Sequence, residues 1–155
     1  MKQLAVLAVL LFTLPSFGQS TRVDGRKHPE LIRDNIAYEL VLRLQSQEDA
    51  RLRELQHARI GLSAEDHAMY DAILADFGAK IADLEATHNA AADRAEGNVS
   101  AMNAELTGLK TRLAAIVSGA RAQLAARLSV DGYNKLDAFI QGEKSNMTVG
   151  VKVNQ

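Results

Sequence analysis

The chain contains no cysteine among its 155 residues, which excludes disulfide bonds, lipid attachment to a cysteine and a cysteine nucleophile. It also has no tryptophan and 5% aromatic residues, so leucine, isoleucine and alanine must fill the core. The formal net charge of -1 provides no electrostatic argument for nucleic-acid binding. Neither a Gly-x-Ser-x-Gly motif nor a glycine-rich phosphate loop is present. We therefore assign no catalytic, cofactor-binding or metal-binding residue, expect no cofactor, and expect a protein that is not an enzyme.

Long hydrophobic runs are limited to the N-terminus. After a short basic start, residues 4–14 are uninterruptedly apolar, and residues 15–18 supply a break and small residues. This order is typical of a signal peptide, and the run is shorter than the ~20 residues that span a bilayer. We predict a signal peptide over residues 1–18, cleaved between Gly18 and Gln19, with no membrane span afterwards. Export without cysteine favours a periplasmic or secreted bacterial protein.

The remaining chain divides into a lead-in, one domain and a tail. Residues 19–28 are polar without periodicity and predict a flexible lead-in. Pro29 suits the first turn of a helix, and apolar residues at three- to four-residue spacing extend that helix to about Gln45. We expect a single helical domain over residues 29–145, followed by a C-terminal tail over residues 146–155.

A second start signal follows the first helix. Ser46 and Asp49 match a capping box, with Ser46 as the N-cap. The pattern predicts a second helix to about Arg59, with Leu52 and Leu55 facing inward. One kinked helix across the two segments is the alternative.

Two long amphipathic segments predict an all-α fold built on an antiparallel hairpin of helices at about 64–95 and 100–128. The turn falls at residues 96–98, and a short C-terminal helix follows at about 130–142. Ser63, Ser100 and Ser129 are the expected N-caps of these three helices. In the first long helix the inward line comprises Tyr70, Ile73, Phe77, Ile81, Leu84 and His88. In the second it comprises Met102, Leu106, Leu109, Leu113, Ile116, Val117, Leu124 and Leu128.

Charge differs between the two long helices. Residues 62–100 hold eight acidic and two basic side chains, whereas residues 101–128 hold four basic and one acidic. This asymmetry favours neighbouring helices that pair electrostatically, although solvated charged faces explain it as well.

The tail alternates apolar and other residues over residues 147–153, which is a strand pattern. An isolated strand is not stable alone, so a frayed terminus is the simpler interpretation. The alternative is an extended segment that adds to the sheet edge of a partner.

Each hairpin helix carries a second stripe of small residues opposite its apolar line. On the first helix the stripe comprises Ala68, Ala72, Ala75, Ala79, Ala82, Ala86 and Ala90. On the second it comprises Ala101, Ala104, Gly108, Ala115, Gly119, Ala122 and Ala126. Small side chains allow close helix contact and predict a surface for a protein partner or a homodimer. The competing explanation is that alanine is the best helix former on a solvent face.

Two Glu-x-x-His pairs resemble ligand pairs of di-metal helical bundles. The candidate ligands are Glu39, Glu54, His57, Glu85, His88 and Glu105. His67 and Asp71 are four residues apart, which is the spacing of a separate two-ligand metal site on one helix. A metal-carboxylate bundle is therefore the alternative function, although a histidine at the edge of the core and a surface pair are the simpler interpretations of these residues.

Three segments carry a resemblance. They are residues 28–38, from His-Pro-Glu-Leu-Ile to Ala-Tyr, residues 60–66, Ile-Gly-Leu-Ser-x-x-Asp, and residues 128–147, from Leu-Ser-x-Asp-Gly to Met. Together they resemble a group of short, exported, helical bacterial proteins without a characterised activity. The two Leu-Ser-x-Glu/Asp starts are also similar to the Leu-Thr-x-x-Gln motif of periplasmic stress chaperones, with Asp66 and Gly132 in place of Gln. This second resemblance implies a helical hairpin dimer that cradles unfolded clients, and our leading hypothesis is an exported, chaperone-like binding or structural protein.

Overall fold

A computed structural model describes residues 20–152 and the side chains of residues 22–150. In chain order, the elements are β1 Ser20–Asp24, α1 Asp34–Gln47, α2 Ala50–Ile60, α3 Ala64–Arg94, α4 Val99–Arg127, α5 Val130–Glu143 and β2 Thr148–Lys152. The fold is all-α, and the long helices α3 and α4 pack against each other as the predicted hairpin. Helix α1 packs on α3, α4 and α5.

The helix ends follow local chemistry. The side chains of Ser63 and Ser129 accept hydrogen bonds from backbone N–H groups in the first turns of α3 and α5, as predicted. Gly61 and Gly97 adopt a left-handed φ of 78° after α2 and in the hairpin turn. The prediction of Ser100 as the cap of α4 is wrong, because Asn98 accepts the capping bond from the N–H of Ala101.

The N-terminal helix starts later than predicted and is separate from α2. A short 3-10 turn covers Pro29–Leu31, and Arg33 then adopts an extended conformation as the N-cap of α1. Ser46 lies inside α1, where its hydroxyl donates to the carbonyl of Arg43. Asp49, not Ser46, caps α2 by accepting from the N–H of Leu52. The chain therefore breaks three residues after the predicted N-cap.

The core follows the predicted apolar line on α3 in full and on α4 in part. The predicted inward residues of α3 from Tyr70 to His88 are all buried. On α4, burial is confined to Val117, Ala120 and Leu124, while the positions nearer the turn are half-buried. The half of the hairpin nearest the turn is therefore held mainly by contacts between α3 and α4.

The prediction for α2 is wrong in orientation. Leu52 and Leu55 are 45% and 61% exposed, whereas His57 and Ile60 are buried. Helix α2 has no continuous apolar stripe along its length, so local periodicity could not orient it. Helix α2 contacts α3 through His57 and α5 through Arg59, and these two contacts accompany its observed orientation.

The polar lead-in and the tail form a two-stranded antiparallel sheet. Val23 pairs with Val149 in the register, and both side chains are buried. The N–H of Gly25 donates to the carbonyl of Met147 at 2.9 Å, which extends the link past β1. The tail therefore forms a strand rather than a frayed terminus, because β1, at the other end of the described chain, pairs with it.

The predicted electrostatic pairing of the hairpin helices is not found among the described side chains. Lys80 pairs with Asp76 within α3, and Arg112 pairs with Glu105 within α4. No Lys or Arg of one hairpin helix forms an ion pair with a carboxylate of the other in residues 22–150. The polar contacts between the two helices include His88 with Glu105 at 3.5 Å and Gln123, which donates to Asp76.

No helix in the described part of the chain combines the length and apolarity needed to cross a membrane.

Candidate functional site

The candidate ligands of a di-metal bundle lie at separate places. Arg43 pairs with Glu85 at 3.0 Å and lies 3.9 Å from Glu39, and His88 lies 3.5 Å from Glu105. His57 instead contacts Asp71, which precedes His88 on α3 by 17 residues. A helix rises about 1.5 Å per residue, so the two histidines are roughly 25 Å apart. The six residues therefore do not converge on one centre. In the described residues, no group of three or more His, Asp or Glu side chains could hold a metal ion.

A polar cluster lies beneath α2, at its contact with α3. The imidazole rings of His57 and His67 stack with centroids 4.3 Å apart. His57 Nε2 lies 3.2 Å from Asp71 Oδ1, and its ring meets the ring of Tyr70 edge-on at 5.8 Å. The buried Tyr70 hydroxyl donates to Gln45 Oε1 on α1. Three helices thus contribute polar side chains to one interior position.

This polar cluster holds most of the buried polar side-chain atoms that have no hydrogen-bond partner in the described residues. Six of the eight such atoms are Glu48 Oε2, Arg53 Nε, Gln56 Oε1, His57 Nε2, His67 Nε2 and Asp71 Oδ1. Several of these atoms face one another, since His57 Nε2 lies 3.2 Å from Asp71 Oδ1 and the Glu48 carboxyl contacts the Gln56 side chain. Periodicity alone did not reveal the cluster, because the sequence predicted Leu52 and Leu55 on the inward face.

Burial shifts the pKa of two groups in the cluster. It lowers the pKa of His57, with Asp71 opposing this effect and His67 and Arg53 adding to it. Burial also raises the pKa of the Glu48 carboxyl. A neutral imidazole has one nitrogen that accepts a hydrogen bond or binds a metal ion.

A second polar contact joins the starts of α3 and α5. Asp66 Oδ1 accepts from the N–H of Ser129 at 2.7 Å. Its Oδ2 accepts from the hydroxyls of Ser129 at 2.7 Å and Ser63 at 3.0 Å. The Ser129 N–H bond is the main cause of the lowered pKa of Asp66. A Cβ atom at Gly132 would lie 2.6 Å from Asp66 Cγ, so only glycine allows this approach. All the polar atoms of this contact are paired, which indicates a structural role.

A groove of about 590 Å³ lies between α1 and α4. Its apolar side chains are Ile36, Leu113, Ala114 and Val117. Its polar side chains are Arg33, Asp34, Asn35, Glu39, Lys110 and Arg121. We call this surface the α1–α4 groove.

Charged side chains in the α1–α4 groove are held in place. The guanidinium of Arg121 lies 4.5 Å from the ring centroid of Tyr38 and 3.9 Å from Asp34 Oδ2. Burial raises the pKa of the Glu39 carboxyl, and Arg43 partly opposes this effect. The groove therefore combines an apolar floor with fixed charges of both signs.

The small-residue stripes of α3 and α4 are largely exposed to solvent. Every alanine of the α3 stripe is exposed, and on α4 only Ala101 and Gly108 are half-buried. Within the single chain, neither stripe forms part of the core. The predicted cleavage residues Gly18 and Gln19 lie outside the described residues.

Comparison with known proteins finds no family model, no curated protein and no solved structure that matches the chain. Function therefore has to be argued from the geometry of the chain itself.

Proposed function

We propose that this chain is an exported, non-enzymatic helical protein that binds exposed segments of other polypeptides in the α1–α4 groove, in the manner of a chaperone. The observation that carries the proposal is the composition of the groove, with Leu113, Ala114 and Val117 on its floor and charges of both signs around them. Its volume of about 590 Å³ is in the range of sites that bind small ligands or short peptide segments, about 300–1,000 Å³.

The shape of the groove favours a peptide segment. Its lining on α4 runs from Lys110 to Arg121, a span of eleven residues and hence about 16 Å of helix. An extended peptide of about five residues covers this length. Apolar side chains of the segment would contact Ile36 and Leu113, while its charged side chains would meet Asp34, Arg121 or Lys110 at the rim. Charges of both signs suit clients of varied sequence.

Export is supported by the pattern of residues 1–18, a basic start, an apolar run and a break. We expect the protein from a bacterial envelope fraction to begin at Gln19. N-terminal sequencing tests this, and a protein that retains Met1 would contradict export by cleavage.

The groove is tested by an Ala114→Arg substitution. Ala114 is an exposed alanine on the groove floor, so arginine there fills the groove without disturbing the core. We expect binding of a chemically unfolded model substrate, measured by light scattering during its aggregation, to weaken about tenfold, which corresponds to roughly 1.4 kcal/mol.

The matched control is Ala125→Arg, at another position of α4. Ala125 is also exposed but lines neither the groove nor a small-residue stripe, so this variant adds the same charge elsewhere. A photo-crosslinker at residue 114, but not at residue 125, should capture the substrate. Equal activity of the two arginine variants would overturn the groove as the binding surface.

The small-residue stripes are the second candidate surface, because every alanine of the α3 stripe is exposed. A homodimer through this stripe predicts a doubled molar mass in light scattering and a monomer after Ala79→Glu. A wild-type protein that is monomeric at all concentrations would remove this candidate.

A further inference from the structure

The charged side chains that line the α1–α4 groove are not equally available to a bound segment. The basic ones are Arg33, Lys110 and Arg121, and the acidic ones are Asp34 and Glu39. A charge that another side chain of the protein already neutralises attracts a bound segment only weakly. The sign that the segment meets therefore depends on which of these side chains have partners.

The two carboxylates of the groove already have basic partners. Asp34 Oδ1 accepts a hydrogen bond from Lys144 Nζ at 2.7 Å, and Asp34 Oδ2 lies 3.9 Å from the guanidinium of Arg121. The half-buried Glu39 lies 3.9 Å from the guanidinium of Arg43. Burial also raises the pKa of the Glu39 carboxyl, which disfavours its charged form. Little negative charge is therefore left for a bound segment.

Two basic side chains of the groove lack such partners. Arg33 and Lys110 are exposed, and neither forms an ion pair with a carboxylate in residues 22–150. Arg33 precedes Asp34, which contacts Arg121 at one end of the α4 lining. Lys110 is at the other end of that lining, about 16 Å away along α4. Available positive charge therefore flanks the apolar floor on both sides.

We propose that the α1–α4 groove selects segments in which apolar residues are flanked by acidic side chains, an inference that rests on the proposed function of the groove. Carboxylates of the segment would pair with Lys110 and Arg33, while its apolar residues pack on the floor. A basic segment would be repelled by the same two side chains, and it would have to compete with Lys144 and Arg43 for the carboxylates. Complementary charge of this kind excludes unsuitable partners. Among clients of varied sequence, acidic ones therefore bind most tightly.

The test compares two peptides with blocked ends that differ only in charge. Both contain the same run of about four apolar residues, which separates the flanking charges by roughly 16 Å in an extended chain. One peptide carries glutamate on each side of the run, and the other carries lysine. Calorimetry measures their binding to the purified protein. We expect the glutamate peptide to bind about fivefold more tightly at low salt, and this preference to shrink as salt screens the charges.

Charge reversal locates the source of the preference. Lys110→Glu should weaken binding of the glutamate peptide and strengthen binding of the lysine peptide, and a gain of binding requires a folded protein. The matched control is Arg51→Glu in the first turn of α2, where the side chain is exposed and does not line the groove. This control changes the net charge equally and should keep the wild-type preference. An equal loss of preference in both variants would overturn the proposal, because net charge alone would then explain it.

A neutral substitution separates the selectivity from the groove itself. Ala114→Gln places a larger uncharged side chain in the groove and should weaken binding of both peptides. If the wild type binds both peptides equally and Ala114→Gln weakens both, the acidic selectivity is overturned while the groove remains the binding surface. If the wild type binds neither peptide, or Ala114→Gln weakens neither, the proposed function of the groove fails and the selectivity fails with it.

Discussion

At the scale of single residues, a contact that the sequence does not predict joins the N-terminal ends of α3 and α5. Ser63 and Ser129 cap their helices as the sequence predicts, but the contact between the two caps is not predictable from either. Asp66 accepts bonds from both serines and lies against Gly132.

The Asp66–Gly132 contact predicts that Gly132→Ala destabilises the protein. The new Cβ would overlap Asp66, and overpacking of this kind costs about 1–3 kcal/mol. Urea denaturation measures the change in the free energy of unfolding. The control is Gly142→Ala on the same helix, where a Cβ meets nothing within 4 Å and alanine should add about 0.4–1 kcal/mol of stability. Destabilisation by both variants would contradict this account.

Acid should weaken the link between α1 and the end of α5. Lys144 Nζ donates to Asp34 Oδ1 at 2.7 Å, and this bond is the main cause of the lowered pKa of Asp34. A carboxyl whose pKa is lower in the folded chain contributes stability above its unfolded pKa of about 4, and that stability is lost as pH falls through the folded pKa. Asp34 is half-exposed, so the effect is at most about 1 kcal/mol.

Asp34→Asn tests this dependence. At neutral pH the variant should be less stable than the wild type, and the difference should shrink as pH falls below about 4. Denaturation curves at several pH values measure it, with the exposed Asp83→Asn as the control. A difference that is constant across pH would show that the carboxylate charge is not involved.

At the scale of elements, the sequence predicted the buried face of helices that carry a clear apolar line. It did not predict the buried face of elements without such a line. All six residues of the predicted line on α3, from Tyr70 to His88, are buried, because burial there repeats every three to four residues, but the line omitted the buried Leu74. Helix α2 lacks such a line, and β1 has a polar composition. Which side of α2 or β1 is buried depends on residues that are far away in sequence. A local sequence pattern contains no information about those residues.

The terminal sheet predicts a difference between the two faces of β2. Val149 is buried and pairs with Val23, so Val149→Ala should lower the free energy of unfolding by about 1–2 kcal/mol. The adjacent Thr148 is exposed, and Thr148→Ala should change stability by no more than about 0.5 kcal/mol. Thermal or urea denaturation compares the two. Equal effects would argue that the strand does not pack on the helical core.

At the scale of the whole molecule, the half of the hairpin far from the turn is well packed, and the half near the turn is more exposed to solvent. The buried residues of α4 lie between Val117 and Leu124, and the apolar residues nearer the turn are half-buried. We expect backbone amides of residues 102–109 to exchange with deuterium faster than those of residues 117–124, because local opening exposes less apolar surface there. Hydrogen–deuterium exchange with mass spectrometry measures both segments in one helix. Uniform protection along α4 would contradict this prediction.

The sequence alone determined that the chain is all-α, where the long hairpin turns, and which face of α3 is buried. These features depend on contacts within a few residues, since caps, glycine turns and helical periodicity act locally. Only the tertiary structure decided that α2 turns His57 inward, that the lead-in pairs with the tail, and that Asp66 meets Gly132. Each of these depends on residues brought together from distant parts of the chain. The candidate sites belong to the second group, because the α1–α4 groove and the polar cluster beneath α2 exist only where separate helices pack.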